Sequence, residues 1–125
     1  MRIYKALNPG GIFLFDVFTR AQYAGNKEGT SWDVCEQGGF WSPNPHLCFN
    51  AQYRYGDDVH LHRHVIIEDK NVRCFNIWDT CFTKESLTAE VTPHGFSTAG
   101  FFADVTGTPY MDESKTLCAV MRKEG

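Results

Sequence analysis

The chain has 125 residues, of which 42% are hydrophobic and 22% charged, so it is long enough for one folded domain and is not a disordered segment. Its formal net charge of −3 argues against a broad basic surface for nucleic acid. The longest apolar run, over residues 12–18, is interrupted by Asp16 and is too short to span a bilayer, which takes about 20 residues. We therefore expect neither a nucleic-acid partner nor a membrane partner.

The cysteine pattern and the first seven residues indicate the cellular compartment of the protein. Five cysteines are present, an odd number, and no two of them have Cys-x-x-Cys spacing. Reduced thiols fit this pattern better than a disulfide framework. The first seven residues lack the apolar stretch of a signal peptide. We expect a cytoplasmic protein.

The predicted elements begin with the last turns of a helix, because Ile3, Tyr4 and Leu7 have helical spacing. It ends at Pro9-Gly10-Gly11, because proline cannot continue the hydrogen-bond ladder and glycine accepts a left-handed exit. Ile12–Val17 follow as an uninterrupted apolar strand, a pattern typical of a central strand that is buried on both faces. The next residues predict a short helix with a capping box from Thr19 to Gln22.

The middle of the chain is predicted to be β-rich. Residues 27–46 mix glycine and proline with aromatic residues and predict irregular strands and loops. Residues 47–55 alternate between apolar and polar side chains, and two further strands, 59–67 and 72–82, follow after turns. The simplest assembly is an antiparallel meander of three long strands.

The last third of the chain predicts one helix and two strands. Thr83 is a favourable N-cap for a helix through Glu90, which ends near Pro93-His94-Gly95. Strands are predicted at 96–105 and 116–122. We interpret the chain as one domain, 1–125. It would comprise a helix end and central strand (1–19), an antiparallel insert (20–82), and a helix with a terminal strand pair (83–125).

Several of these segments together resemble one enzyme family. Residues 7–16 read Leu-Asn-Pro-Gly-Gly and then an apolar strand, and residues 82–87 read Phe-Thr-Lys-Glu-Ser-Leu. His94-Gly95-Phe96 precedes the next strand, and 117–123 is an apolar strand that ends in a basic residue. In this order they resemble the fifth strand, the last helix and the sixth and seventh strands of the class I S-adenosylmethionine-dependent methyltransferases.

The resemblance implies a part of such an enzyme. The family binds its cofactor at a Gly-x-Gly-x-Gly loop and at an acidic residue that ends the second strand, and neither pattern occurs here. It therefore implies an α+β C-terminal fragment of a Rossmann-like methyltransferase, with strands five to seven in a mixed sheet and an inserted antiparallel β lid. The parent enzyme would transfer a methyl group from S-adenosylmethionine to a small-molecule substrate.

For the chain alone, the resemblance implies no activity and no bound cofactor. Strand Ile12–Val17 would lose its neighbour on one side, so its edge and one face would be exposed. Unpaired strand edges and contiguous apolar patches promote association. We therefore expect the isolated chain to self-associate through this surface.

The candidate site residues near the first strand are Asp16, Phe18 and Thr19. Phe18 and Thr19 follow the carboxyl end of the strand, where open α/β sheets bind ligands, so they are weak candidates for contact with the cofactor. Asp16 lies inside the strand, where it is either hydrogen-bonded or at the edge of a cleft. Asp16 and Phe18 are also candidates for substrate binding.

The candidates in the insert are Trp32, Arg63 and Trp78, which with Asp16 and Phe18 complete the predicted substrate-binding set. Tryptophans most often pack in a core or a lid, where aromatic walls align a substrate and exclude water. Arg63 points away from the histidines of its strand. It is expected to snorkel or to pair with a carboxylate, or else to hold an anionic substrate bidentately.

An alternative prediction is a metal site. Gly56, His62, His64 and Glu68 match Gly-x5-His-x-His-x3-Glu, one half of the cupin motif, and the alternation of a strand places both imidazoles on one face. The second half of that motif is not met. A polar strand face is the simpler interpretation of the histidines, and a noncatalytic β-rich interaction domain is a third interpretation of the chain.

Overall fold

The computed structural model describes residues 1–125, which form two compact units. Unit 1 contains Met1–Gly25 and Cys81–Gly125, and unit 2 contains Asn26–Thr80. Each unit has one β-sheet, with three strands in unit 1 and four in unit 2. The predicted order of strand, antiparallel strands, helix, strand and strand is observed. The organisation as one domain with an insert at 20–82 stays a prediction.

The helices and strands have the following bounds. The helices are α1 (Arg2–Ala6), α2 (Arg20–Tyr23) and α3 (Lys84–Val91), and a 3-10 turn covers Thr92–His94. The strands are β1 (Ile12–Phe18), β2 (Gly29–Cys35), β3 (His46–Tyr55), β4 (Val59–Glu68), β5 (Asn71–Thr80), β6 (Phe96–Phe102) and β7 (Thr116–Lys123). No helix is both long enough and apolar enough to cross a membrane.

The sheet of unit 1 has the strand order β1-β7-β6, and both pairings are antiparallel. The sheet of unit 1 is therefore purely antiparallel and not mixed as expected, with β1 and β6 running in the same direction on either side of β7. The residue pattern of β1 is typical of a strand buried on both faces, but for the chain alone the exposed edge and face that the sequence predicts are observed. Strand β1 is an edge strand, and Ile12, Leu14, Asp16 and Phe18 are exposed while the residues between them are half-buried.

The core of unit 1 lies between one face of this sheet and helix α3. Leu117, Ala119 and Met121 alternate along β7 and are fully buried, because they point to the same face. They pack with Leu87 and Val91 of α3. Phe13, Phe15 and Val17 of β1 contact the same cluster from the edge.

The two predicted helix starts have different outcomes. Thr83 caps α3 as predicted, because its side chain accepts a hydrogen bond from the Ser86 N–H and the Ser86 hydroxyl accepts one from the Thr83 N–H. The capping box predicted at Thr19 is wrong. The Thr19 hydroxyl instead donates to the carbonyl oxygen of Ser114 at 2.5 Å, so α2 has no side-chain cap.

The basic residue at the end of β7 stabilises the end of α1. The Lys123 ammonium donates to the carbonyl oxygens of Tyr4 and Leu7 at 2.8 and 2.7 Å, which are unpaired groups of a helix C-terminus. The turn that follows the helix places Gly10 at φ +74°, a backbone conformation that favours glycine. The sequence prediction of a helix that ends at this turn is confirmed.

The sheet of unit 2 is an antiparallel meander in the order β2-β3-β4-β5. The three long predicted strands correspond to β3, β4 and β5. The fourth strand, β2, lies within the segment predicted as irregular strands and loops. It is regular because residues 29–35 pair in register with 46–52 of β3.

Candidate functional site

The four strands of unit 2 divide their side chains between two chemically different faces. Directly paired residues point to the same side of a sheet, so the register assigns each side chain to a face. We call one side the Arg63 face. Its strand residues are Thr30, Trp32, Val34, Leu47, Phe49, Ala51, Tyr53, Tyr55, Val59, Leu61, Arg63, Val65, Ile67, Val72, Cys74, Asn76, Trp78 and Thr80. Arg63 is the only charged residue among them.

Arg63 is held in place by neutral groups. Its Nε donates to Oδ1 of Asn76, the residue paired with it on β5, at 2.8 Å, and its guanidinium carbon lies 5.9 Å from the centre of the Tyr53 ring. Of the alternatives predicted for Arg63, pairing with a carboxylate is not observed, because no acidic strand residue of the sheet points to this face. The side chain is exposed, and its two terminal NH2 groups have no acceptor in the chain.

A pocket of about 400 Å³ opens beside Arg63, and we call it the Arg63 pocket. Its side walls are apolar, and its lining includes Thr30, Trp32, Phe49, Ala51, Val65 and Arg63. Ala51 is the direct neighbour of Arg63 on β3, and Thr30 pairs with Ala51 on β2, so the hollow lies where the side chains are short. The structure thus brings together two of the predicted substrate-binding residues, Trp32 and Arg63.

The tryptophans are not all core residues. Trp32 and Trp78 are 63% and 57% exposed on the Arg63 face, so of the two expected environments, a core or a lid, the core is excluded for them. Trp78 contacts Tyr55, with ring centres 5.4 Å apart, and is not part of the pocket lining. Trp41 lies on the opposite side of the sheet, where it packs against the rings of His64 and Phe75 at 4.8 and 5.0 Å.

The histidines of β4 lie on the face opposite Arg63, as predicted. Nδ1 of His64 is 2.6 Å from Oδ1 of Asn50, and the Asn50 amide nitrogen donates to the Asp33 carboxylate at 2.9 Å. Burial, and then the proximity of His62, lower the pKa of His64. His64 is therefore a neutral, stacked residue within a polar network, which supports the simpler interpretation of these histidines.

Glu68 anchors the loop between β2 and β3. Its Oε1 accepts hydrogen bonds from the Ser42 hydroxyl at 2.9 Å and from the Asn44 amide at 2.6 Å, and its Oε2 pairs with Arg73 at 3.2 Å. The hydrogen bonds from Asn44 and Ser42, followed by the charge of Arg73, lower the pKa of Glu68.

We expect Glu68→Gln to lower the hydrogen-exchange protection of the Asn44 backbone amide, which donates to the Ser42 hydroxyl, because the neutral side chain loses the charge that the Ser42 and Asn44 donors favour. A carboxylate whose pKa is lowered by folding stabilises the folded state at pH values above its ordinary pKa, which is near 4.5. This stabilisation is lost as the pH falls through the lowered pKa. The difference from the wild-type chain should therefore be largest at neutral pH and disappear in acid. Glu36→Gln, at an exposed position of the same loop, is the control. Equal protection in both variants at neutral pH would contradict this role.

The structure does not assemble the alternative metal site. His62 and His64 share a face, but no group of three His, Cys, Asp or Glu side chains is placed to hold a metal ion. His62 lies 3.7 Å from Asp79, and Glu68 is engaged by the loop. The sheet is an open four-stranded meander rather than a closed jelly roll, so the geometry does not support the cupin-like prediction.

The residues at the carboxyl end of β1 do not form a cofactor site. Thr19 is 3% exposed, and its hydroxyl is used within unit 1. Phe18 is exposed and packs edge to face on Tyr23, and Asp16 is exposed on the outer face of β1. A helix without a glycine turn follows β1, so no cluster of backbone N–H groups is available to a nucleotide-like ligand. S-adenosylmethionine therefore does not fit the residues present.

None of the five cysteines forms a disulfide. Burial raises the pKa of the Cys118 thiol, and the Asp16 and Asp104 carboxylates raise it further. The pKa of Cys48 is raised mainly by burial and also by Asp33 and Cys35. Both thiols therefore stay protonated, which excludes them as nucleophiles at neutral pH.

Sequence reasoning missed the partners of Arg63. Asn76 orients the guanidinium, while Phe49 and Ala51 line the pocket. The alternation of β3 was recognised, and the two short turns after β3 and β4 determine the register. Counting outward from these turns pairs Arg63 with Ala51 and with Asn76. That signal was present in the sequence.

The chain has a fold that matches about half the length of solved methyltransferase structures, so the resemblance read from the sequence is confirmed at the level of the fold. No protein-family model and no curated protein sequence matches the chain.

Three solved methyltransferase structures carry this assignment. The CcbJ methyltransferase from Streptomyces caelestis matches 99% of the chain with a TM-score of 0.66 and 16% identity. An S-adenosylmethionine-dependent methyltransferase from Clostridium acetobutylicum matches 98% with a TM-score of 0.64 and 12% identity. The sugar N-methyltransferase KedS8 from Streptoalloteichus matches 98% with a TM-score of 0.53 and 20% identity. The chain spans 46–48% of the length of these three structures.

Proposed function

We propose that the chain is the C-terminal, substrate-side part of a methyltransferase that transfers a methyl group from S-adenosylmethionine to a small molecule. One observation carries the proposal: nearly the whole chain superimposes on about half of such enzymes. In this proposal β1, β6 and β7 are strands five, six and seven of the parent sheet, and unit 2 is the inserted lid.

The unpaired edge of β1 supports the proposal that a separate half of the parent enzyme holds the cofactor. Strand β1 pairs only with β7, and its outer residues Ile12, Leu14 and Phe18 are 42–46% exposed. We propose that a glycine-rich α/β half continues the sheet from this edge and holds the cofactor. The chain alone would then bind no S-adenosylmethionine and be inactive.

The candidate substrate-binding residues of the proposed enzyme are Asp16 and Phe18 in unit 1 and Trp32, Arg63 and Trp78 in unit 2. An acceptor that is already nucleophilic needs alignment and a dry site more than acid–base chemistry, and exposed aromatic side chains can supply both when a substrate covers them. The sugar N-methyltransferase among the structural neighbours supports a small-molecule acceptor. The free cysteines support a cytoplasmic enzyme.

The proposal is tested by joining the chain to the coding sequence that precedes Met1 in its gene. The joined protein and the chain alone are incubated with methyl-labelled S-adenosylmethionine and a panel of amino sugars and aromatic acids. We expect labelled product from the joined protein only. Product formed by the chain alone, or no product from the joined protein with any acceptor, would contradict the proposal.

A further inference from the structure

We propose that the Arg63 pocket binds a small aromatic carboxylate. The binding itself is argued from the pocket alone, whereas the identification of this ligand as the methyl acceptor rests on the proposed function.

The charge of the ligand follows from the unused donors of Arg63. Asn76 accepts from Nε and so fixes the plane of the guanidinium, while the four N–H bonds of the two terminal nitrogens have no acceptor in the chain. This fork matches the two oxygens of a carboxylate. No acidic side chain of the sheet points to the Arg63 face, so a ligand that brings its own anion complements the site.

The aromatic character of the ligand follows from the apolar side chains that line the Arg63 pocket. Trp32, Phe49 and Val65 line the pocket on one side of Arg63, and Ala51 leaves the space directly across from it open. A flat ring can stack on the exposed Trp32 and Phe49 side chains beside the open space at Ala51, and a pocket of about 400 Å³ is at the small end for ligand sites.

The charge of Arg63 also favours a small molecule over a second copy of the chain as the ligand of the Arg63 face. If two Arg63 faces packed on each other about a twofold axis, each would contribute one guanidinium and no carboxylate. Like charges without a counter-ion disfavour such a contact. A small anion instead satisfies the guanidinium and covers the apolar walls.

The test is a calorimetric titration of the 125-residue chain with 2-naphthoate and with the neutral 2-naphthamide. We expect the carboxylate to bind about tenfold more tightly or better, as charge-assisted bidentate hydrogen bonds imply. Arg63→Gln should abolish this preference. Ala51→Ile should weaken both ligands because it fills the pocket. Arg54→Gln, an exposed arginine on the other face, should change nothing.

Three results would overturn the proposal. They are no binding of naphthoate, equal binding of the acid and the amide, or a preference that survives in Arg63→Gln. Tighter self-association of Arg63→Gln than of the wild-type chain in sedimentation would instead assign the face to a second copy. None of these readouts involves methyl transfer, so naphthoate binding and the proposed enzyme activity succeed or fail separately.

Discussion

Replacing Leu117 with alanine is expected to lower the free energy of unfolding of unit 1 by about 2–5 kcal/mol, the range for a buried leucine that leaves a cavity. Leu117 has no exposed surface, lies in the central strand β7 and packs in the cluster with Leu87 and Met121. Urea denaturation followed by circular dichroism measures the change.

Leu14→Ala is the matched control, because it makes the same substitution on the neighbouring strand. Leu14 is 46% exposed on the outer face of β1, so we expect a loss of about 1 kcal/mol or less. Similar losses for the two variants would mean that both faces of the sheet are packed, in contradiction to the exposed outer row of β1. In the joined protein, where the added half would cover Leu14, the loss should become larger.

A lysine at position 14 is expected to suppress the self-association of the isolated chain. The outer face of β1 carries three exposed apolar side chains beside an edge that pairs with no other strand. Asp16 is the one charge in this row, and charges on an edge strand oppose pairing with another chain. We expect the wild-type chain to associate, and Leu14→Lys to raise the concentration needed for half-association about tenfold or more, which corresponds to about 1.4 kcal/mol.

Sedimentation velocity over a range of concentrations measures this effect. Phe40→Lys is the control, since Phe40 is 91% exposed and lies in the β2–β3 loop rather than on β1. A monomeric wild-type chain at high concentration would contradict the prediction. Association that responds to Phe40→Lys instead of Leu14→Lys would assign it to another surface.

The elements that the sequence predicted best are those with local causes. Thr83 begins α3 because its capping partner is three residues away, and the turns after β3 and β4 are two or three residues long. The alternation of β3 and the position of the histidines opposite Arg63 follow from the period of a strand. These features depend on neighbours within a few residues, so one sequence is enough to predict them.

The features that could not be predicted depend on distant residues. The long loop before β3 does not determine a register, so nothing local places Trp32 beside Phe49. Thr19 has the local pattern of a cap, yet Ser114, 95 residues away, accepts its hydrogen bond.

A calorimetric titration with S-adenosylmethionine tests the central claim most directly, namely that the chain holds the substrate-side half of a methyltransferase without its cofactor site. The chain alone and the joined protein are titrated under the same conditions. We expect no binding to the chain alone at micromolar concentrations and stoichiometric, micromolar binding to the joined protein. Micromolar binding of S-adenosylmethionine to the 125-residue chain by itself would contradict the claim.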